Sequence, residues 1–357
     1  MRKLAETDPI LIVGAGDYPI YETALYEGLI ALGYAKTSLF TWNSYYSGDG
    51  ILRALIKRAE IKASYGFIAA RINKELLEYC VRIHPALVFL YTCRLIYPET
   101  AKRIHDMGIC LVSYCNDNPF SDYFPSYFWR NYIRALPYCD INYGYRKENL
   151  EDIRKKTGRA GKLLRSYYIA GKNYPCMEKE LLPDTPEVIF LGHYEDDYRK
   201  EYLEALREAG ITVGLPKQEF SSWAEGKKGI ILLEDTRRLY NNYLCSCKVP
   251  ITFLSTLNRD TYTRRCFEIP AAGALLFSLY TEDLASLFDE DKEAVFFRGK
   301  QDFIQKLQYY LVHDEERKRI AEVGRQRILK DGHEVRDRAK QILRDVGELQ
   351  QKGRGKE

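Results

Sequence analysis

Short, nearly uninterrupted apolar runs alternate along the chain with longer segments in which apolar positions recur every three or four residues. The runs suit strands buried on both faces and the longer segments suit helices that cover them, so their alternation predicts parallel sheets wrapped by helices. In the first half, residues 10–13 read as a strand, Gly14-Ala15-Gly16-Asp17 as the turn leaving it, and 21–32 as a helix closed by Gly33, a residue suited to the left-handed cap. Further strands are predicted at 37–41, 86–91, 110–115 and 141–145, with helices at 72–83 and 98–107, and the aromatic segment 120–136 reads as helical.

Between 162 and 185 the pattern loses its period and prolines accumulate, so the domain junction is placed there. The same grammar then restarts. Strands are expected at 188–191, 211–213, 229–233, 249–254 and 274–277, and helices at 198–209, 266–272, 302–312, 315–329 and 334–349. The expected division is 1–168 for a first Rossmann-like domain, 169–186 for a linker and 187–333 for a second domain. A C-terminal helix at 334–350 is expected to pack back on the first domain, with a polar tail at 351–357.

With 357 residues, 46% of them hydrophobic and 29% charged, the chain fits two globular cores. It contains no apolar stretch long enough to cross a bilayer, and residues 1–9 lack the apolar centre of a signal peptide. The cytosol is the expected location, with the inner face of the membrane as a place of work. A formal charge of +4 is far from the basic stripe of a nucleic-acid binder. Nine scattered cysteines do not make a secreted disulfide framework, and Cys245 and Cys247 have no second pair to complete a zinc site.

Candidate chemistry gathers where strands end, because ligands of open α/β sheets bind outside the carboxyl ends of the strands. Gly192 and the charged run up to Arg199 follow one predicted strand; Arg199 could meet phosphate or base, or simply belong to a well-solvated helix start. Lys248, at the mouth of the strand 249–254, could neutralise a pyrophosphate. Asp260 and Glu268 lie eight residues apart around a helix start, a spacing that can set both on one wall. In the first half, Asp117 stands between Asn116 and Asn118 at a strand end, where a general base could meet a hydroxyl, although Asn-Asp-Asn-Pro is also ordinary turn chemistry. Arg94 is a similar strand-end candidate. The aromatic run with Arg130 and Arg134 suits sugar stacking, an anionic membrane or core packing. Gly14-x-Gly16 resembles the start of a dinucleotide fingerprint, but Pro19 replaces its third glycine and no acid ends the next strand, which argues against NAD.

The run Arg265-Cys-Phe-Glu-Ile-Pro-Ala-Ala-Gly-Ala, followed by Thr281-Glu-Asp-Leu, Phe288, Glu293-Ala-Val-Phe-Phe and Glu316-Arg-Lys-Arg-Ile-Ala-Glu-Val-Gly324, resembles the C-terminal domain of CgeB-like, group-1-type glycosyltransferases. The likeness spans roughly 187–345, and Cys115-Asn-Asp-Asn-Pro-Phe120 resembles that family's Asp-Asp-Pro loop more loosely. It implies a GT-B fold, two Rossmann-like domains about a cleft, with C-terminal helices. It implies a donor nucleotide-sugar on the second domain, held by Glu268 at the ribose and by Arg265 and Lys248 at the diphosphate, with Gly273 allowing close backbone approach. Gly16, Asp17 and Arg94 would border the acceptor, and Asp260 would replace the first glutamate of the Glu-x7-Glu pattern of retaining relatives. The implied activity is metal-independent transfer of a sugar to a glycan, a lipid-linked glycan or another cell-surface precursor, as in envelope polysaccharide biosynthesis, with a retaining or an inverting outcome left open by the shorter acid at Asp260. No cofactor beyond the nucleotide-sugar substrate is expected. A sugar-nucleotide epimerase or phosphorylase of the same shape, and a non-catalytic nucleotide-sugar-binding protein, are the alternatives.

Overall fold

The computed structural model describes residues 4–48 and 51–354. The chain folds as two compact units, one made of residues up to Arg165 together with those from Val335 onward, the other of Ser166–Glu334.

The first unit runs β1 (Ile10–Gly14), α1 (Glu22–Ala31), β2 (Thr37–Thr41), α2 (Ile51–Ala63), α3 (Phe67–Ile83), β3 (Leu87–Tyr91), α4 (Pro98–Asp106), β4 (Cys110–Cys115), α5 (Arg130–Ala135), β5 (Ile141–Gly144), α6 (Lys147–Thr157) and β6 (Lys162–Leu163). All pairs in its six-stranded sheet are parallel, in the order β2-β1-β3-β4-β5-β6. Strands β1, β3 and β4 are buried along their whole length, which is why they read as unbroken apolar runs. Pro98 opens α4, where its missing N–H costs nothing, and Gly158 closes α6 in the left-handed conformation.

The second unit runs β7 (Val188–Ile189), α7 (Arg199–Glu208), β8 (Val213–Pro216), α8 (Lys217–Ala224), β9 (Ile230–Leu233), α9 (Tyr240–Ser246), β10 (Val249–Thr252), α10 (Arg265–Ala271), β11 (Phe277–Leu279), α11 (Glu282–Ala285), β12 (Val295–Phe297), α12 (Lys300–Val312) and α13 (Asp314–Lys330). Its six strands are again all parallel, in the order β12-β11-β10-β7-β8-β9. Phe190, Phe253, Phe277, Phe297 and Phe303 fill the core beside the central strands. The last helix, α14 (Val335–Arg354), belongs to the first unit: the Tyr143 hydroxyl donates to Asp345 at 2.8 Å, Lys162 pairs with Asp345 at 2.9 Å, and Gln341 donates to the Leu163 carbonyl at 2.8 Å.

Several expected elements differ. The segment 120–136 is helical only over α5; Pro119 and Pro125 keep the preceding stretch in turns, since a proline disfavours helical backbone in the residue before it. Its rings form a local cluster of Phe120, Phe124, Phe128, Trp129 and Tyr132 on Cys115 and Leu136. Helices α2, α6, α8 and α9 were not expected, because none presents a long apolar stripe. The stretch 169–186, expected as a free linker, is strapped onto α9: Asn241 exchanges hydrogen bonds with the Tyr174 backbone, Asn242 donates to the Glu180 carbonyl at 2.8 Å, and the Leu182 amide donates to Ser246 at 2.7 Å.

Candidate functional site

In each sheet the strand order reverses once, between β1 and β3 in the first unit and between β7 and β10 in the second. At such a reversal the loops leaving two neighbouring strands diverge and open a crevice at the carboxyl edge.

In the second unit that carboxyl edge is formed by the loop after β7 and the loop after β10. The two are stitched together: Tyr198 donates to the Leu254 carbonyl at 2.9 Å and accepts from its amide at 2.8 Å, Ser255 donates to Glu195 at 2.9 Å, and Thr256 donates to Asp197 at 3.2 Å. Gly192 belongs to this edge, and only glycine fits there, because a Cβ would sit 2.3 Å from the Phe190 ring. Asp260 is in the loop after β10, its amide bonded to the Ser255 carbonyl at 2.8 Å.

The neighbouring arginines at the start of α10 have separate employments. Arg264 is committed to Glu268 one turn ahead and to the face of Tyr167. Arg265 lies 5.6 Å from the Phe190 ring centroid, and its Nε has no hydrogen-bond partner among the described residues. Its guanidinium thus stands at the start of α10, beside Phe190 and within electrostatic reach of Tyr240.

Of the other expected donor residues, Arg199 and Glu268 are engaged by neighbouring side chains, and Lys248 and Gly273 lie away from the strand-order reversal. Arg199 is buried within its own loop, paired with Glu195 at 3.0 Å and Asp197 at 3.6 Å and donating to the His193 carbonyl at 3.1 Å, so its charge closes the loop. Lys248 precedes the first residue of β10, at the opposite edge of the sheet from the crevice, and is paired with Glu187 at 2.6 Å and bonded to the Leu311 carbonyl at 3.1 Å. A residue at the mouth of a parallel strand is separated from the carboxyl edge by the strand itself. Gly273 likewise lies beyond the far end of α10, where its φ of +76° turns the chain toward β11 and a Cβ would meet Pro175 at 3.4 Å. Glu268 is near the crevice, but both its oxygens are engaged, one by Arg264 and the other by the Tyr240 hydroxyl at 2.9 Å. Burial, then the Glu268 charge, push the Tyr240 hydroxyl well above its ordinary pKa, so it stays a donor.

In the first unit, Gly16 and Asp17 follow β1 and Arg94 follows β3, on the two sides of the reversal, while Asp117 follows the next strand, β4. Arg94 lies 3.8 Å from the Phe128 ring centroid and 5.4 Å from that of Trp129, and its Nη1 is buried with no hydrogen bond among the described residues. Burial pulls its pKa down, and the charge of Asp117 opposes that shift. Glu22 was not foreseen: its carboxylate covers Gly14, accepting from the Ala15 amide at 2.8 Å and the Gly16 amide at 3.5 Å. An acid in the first turn after a Gly-x-Gly bend is the signal in the sequence that points to it. Among the described residues no cluster of His, Cys, Asp and Glu could hold a metal ion, and no helix is long and apolar enough to cross a membrane.

Residues 197–344 match the family described as glycosyl transferase-like. No curated protein matches the chain. Among solved structures, sucrose-phosphate synthase from Thermosynechococcus elongatus matches with a TM-score of 0.72 at 12% identity, over 96% of this chain and 99% of the other. HepE from Anabaena, in complex with UDP and glucose, matches with a TM-score of 0.66 at 12% identity, over 96% and 100%. α,α-Trehalose 6-phosphate synthase from Burkholderia multivorans matches at 0.63 and 10%, over 98% of each chain. These likenesses establish the GT-B fold over nearly the whole chain.

Proposed function

We propose, from the premise that residues 197–344 belong to the glycosyl transferase-like family and the chain has the GT-B fold, that this glycosyltransferase moves a sugar from a nucleoside diphosphate to a hydroxyl of a glycan or lipid-linked acceptor. The observation that carries the reading is Arg265, a guanidinium with a free Nε at the strand-order reversal of the second sheet. A diphosphate is the anion such a fork suits, and HepE, a structural neighbour, was solved with UDP and glucose.

In this reading the sugar–phosphate bond breaks with its electron pair leaving on the diphosphate, whose charge Arg265 offsets as it grows. The acceptor oxygen forms the new bond to the anomeric carbon and passes its proton to the Asp117 carboxylate. Arg94 orients the acceptor at the carboxyl edge of the first sheet, with Gly16 and Asp17 at the neighbouring strand end, and Asp260 faces the transferred sugar. Glu268 acts as a positioning residue, holding Arg264 aside so that Arg265 alone meets the donor.

Calorimetric titration with UDP, GDP, TDP and CMP tests the donor half. One of these nucleotides should bind, and Arg265→Ala should weaken it about 10- to 100-fold, the worth of a charge-assisted contact of ~1.5–3 kcal/mol. Asp117→Asn should lower kcat for transfer and leave nucleotide affinity intact. A protein that binds none of the four would overturn the reading.

A further inference from the structure

We propose that the face formed by α2 and the turn after it docks on an anionic lipid bilayer. Ile51 and Leu55, one helical turn apart, are 83% and 56% exposed, and Ile56 is exposed beside them. Arg58 and Lys62 continue along the same helix, also exposed. The one acid of α2, Glu60, is turned inward, accepting from the Ile68 amide at 3.1 Å, the Ala69 amide at 3.0 Å and the Tyr46 hydroxyl at 3.1 Å. The described outward side chains of α2 are therefore apolar, cationic or small, with no anion among them.

The turn extends that face. It is pinned from within: Ser64 donates to the Phe128 carbonyl at 3.2 Å, Asn131 donates to the Ser64 carbonyl at 2.5 Å, and the Tyr97 hydroxyl donates to the Gly66 carbonyl at 3.3 Å. Gly66 leaves room for Glu60, whose carboxyl carbon would lie 2.3 Å from a Cβ. Yet Tyr65 and Phe67 are 64% and 84% exposed. A fixed turn carrying Tyr65, with Phe67 held in water at the start of α3 and a helix of exposed isoleucine, leucine and lysine before it, has the chemistry of a surface that inserts its apolar side chains among anionic headgroups. Charge complementarity selects the occupant, because a second copy would bring the same cations against these, whereas an anionic bilayer offsets them.

The placement adds a consequence that rests on the transferase reading. The connection from β2 to α3, which contains this face, leaves the carboxyl end of β2, the edge at which Gly16, Asp17 and Arg94 also lie. A bilayer docked there brings a lipid-linked acceptor to the residues assigned to it.

Co-sedimentation of the full chain with vesicles of phosphatidylcholine alone, and with phosphatidylglycerol added, tests the docking. The wild type should sediment with the anionic vesicles and stay in solution with the neutral ones. Leu55→Glu with Phe67→Glu, and separately Arg58→Glu with Lys62→Glu, should each lower the bound partition about tenfold or more. Melting curves and nucleotide titration of the variants should match wild type, so loss of vesicle binding reads docking and not the donor site; should the Phe67 variant fail to fold, the Arg58 and Lys62 pair carries the test. Absence of binding to anionic vesicles, or binding that both variants retain, overturns the proposal. So does a wild-type dimer that Leu55→Glu dissociates, which would make the face an interface between copies.

Discussion

Arg264 and Arg265 share one side-chain chemistry, and a rotation of about 100° along the helix gives them different work. The first is paired with Glu268 through its Nε, whereas the Nε of the second has no hydrogen-bond partner among the described residues. The resemblance already singled out Arg265 from the pair; what the fold adds is where each guanidinium lies, Arg265 beside Phe190 and Arg264 over Tyr167. Lys248 shows the converse, since a plausible cation beside a strand proved to be at the wrong end of it. Glu22 supplies a prediction of its own. Burial raises its carboxyl above the ordinary 4.5 in spite of the amides that pull it down, and the Asp17 charge adds to the rise. A carboxyl raised in the folded state stabilises most below its unfolded value and loses that contribution as pH climbs through the folded value. Urea unfolding of wild type and Glu22→Gln should therefore show wild type losing ground to the variant as the pH is raised from the ordinary 4.5 toward neutrality. A constant difference across that range would count against the buried acid.

At the scale of elements, the glycines of the family-like run are explained by backbone geometry. Gly273 closes α10 with a positive φ, and Gly324 lets α13 lie on the chain before β12, where a Cβ would stand 2.1 Å from the Glu293 carbonyl oxygen. The two should respond differently to alanine. Gly273→Ala meets strain in the left-handed region, about 1 kcal/mol, while Gly324→Ala must push two backbone segments apart, about 1–3 kcal/mol. Both should leave nucleotide affinity unchanged; a Gly273→Ala protein of wild-type stability with impaired nucleotide binding would restore that residue to the donor site. The strands were legible because burial on both faces writes an apolar run, as in Ile-Leu-Ile-Val or Leu-Val-Phe-Leu. The helices α8 and α9 were not, since short helices on a solvated face need little apolar periodicity.

For the whole molecule, the chain passes from the first unit to the second and returns, with α14 completing the first. The return is specified chemically by Tyr143, Lys162 and Gln341, which hold α14 through Asp345 and the Leu163 carbonyl. Truncation after Glu334 should therefore destabilise the first unit, and limited proteolysis should cut there before it cuts 166–334. A bound nucleotide, by contrast, should protect the second unit, by about 2.7 kcal/mol at a hundredfold excess over Kd. Equal cleavage of both units in the truncated chain would deny α14 that role. The sequence by itself determined the fold class, because alternating apolar runs and helical segments dictate a wrapped parallel sheet wherever they occur, and it carried the family likeness of residues 197–344, because the run from Arg265 to Gly324 is local. Only the tertiary structure decided which residues lie at the carboxyl edges of the two sheets. That choice depends on strand direction, strand order and the ion pairs each charged side chain finds, and those partners, such as Arg199 with Glu195 or Lys248 with Glu187, are fixed only when the chain is folded.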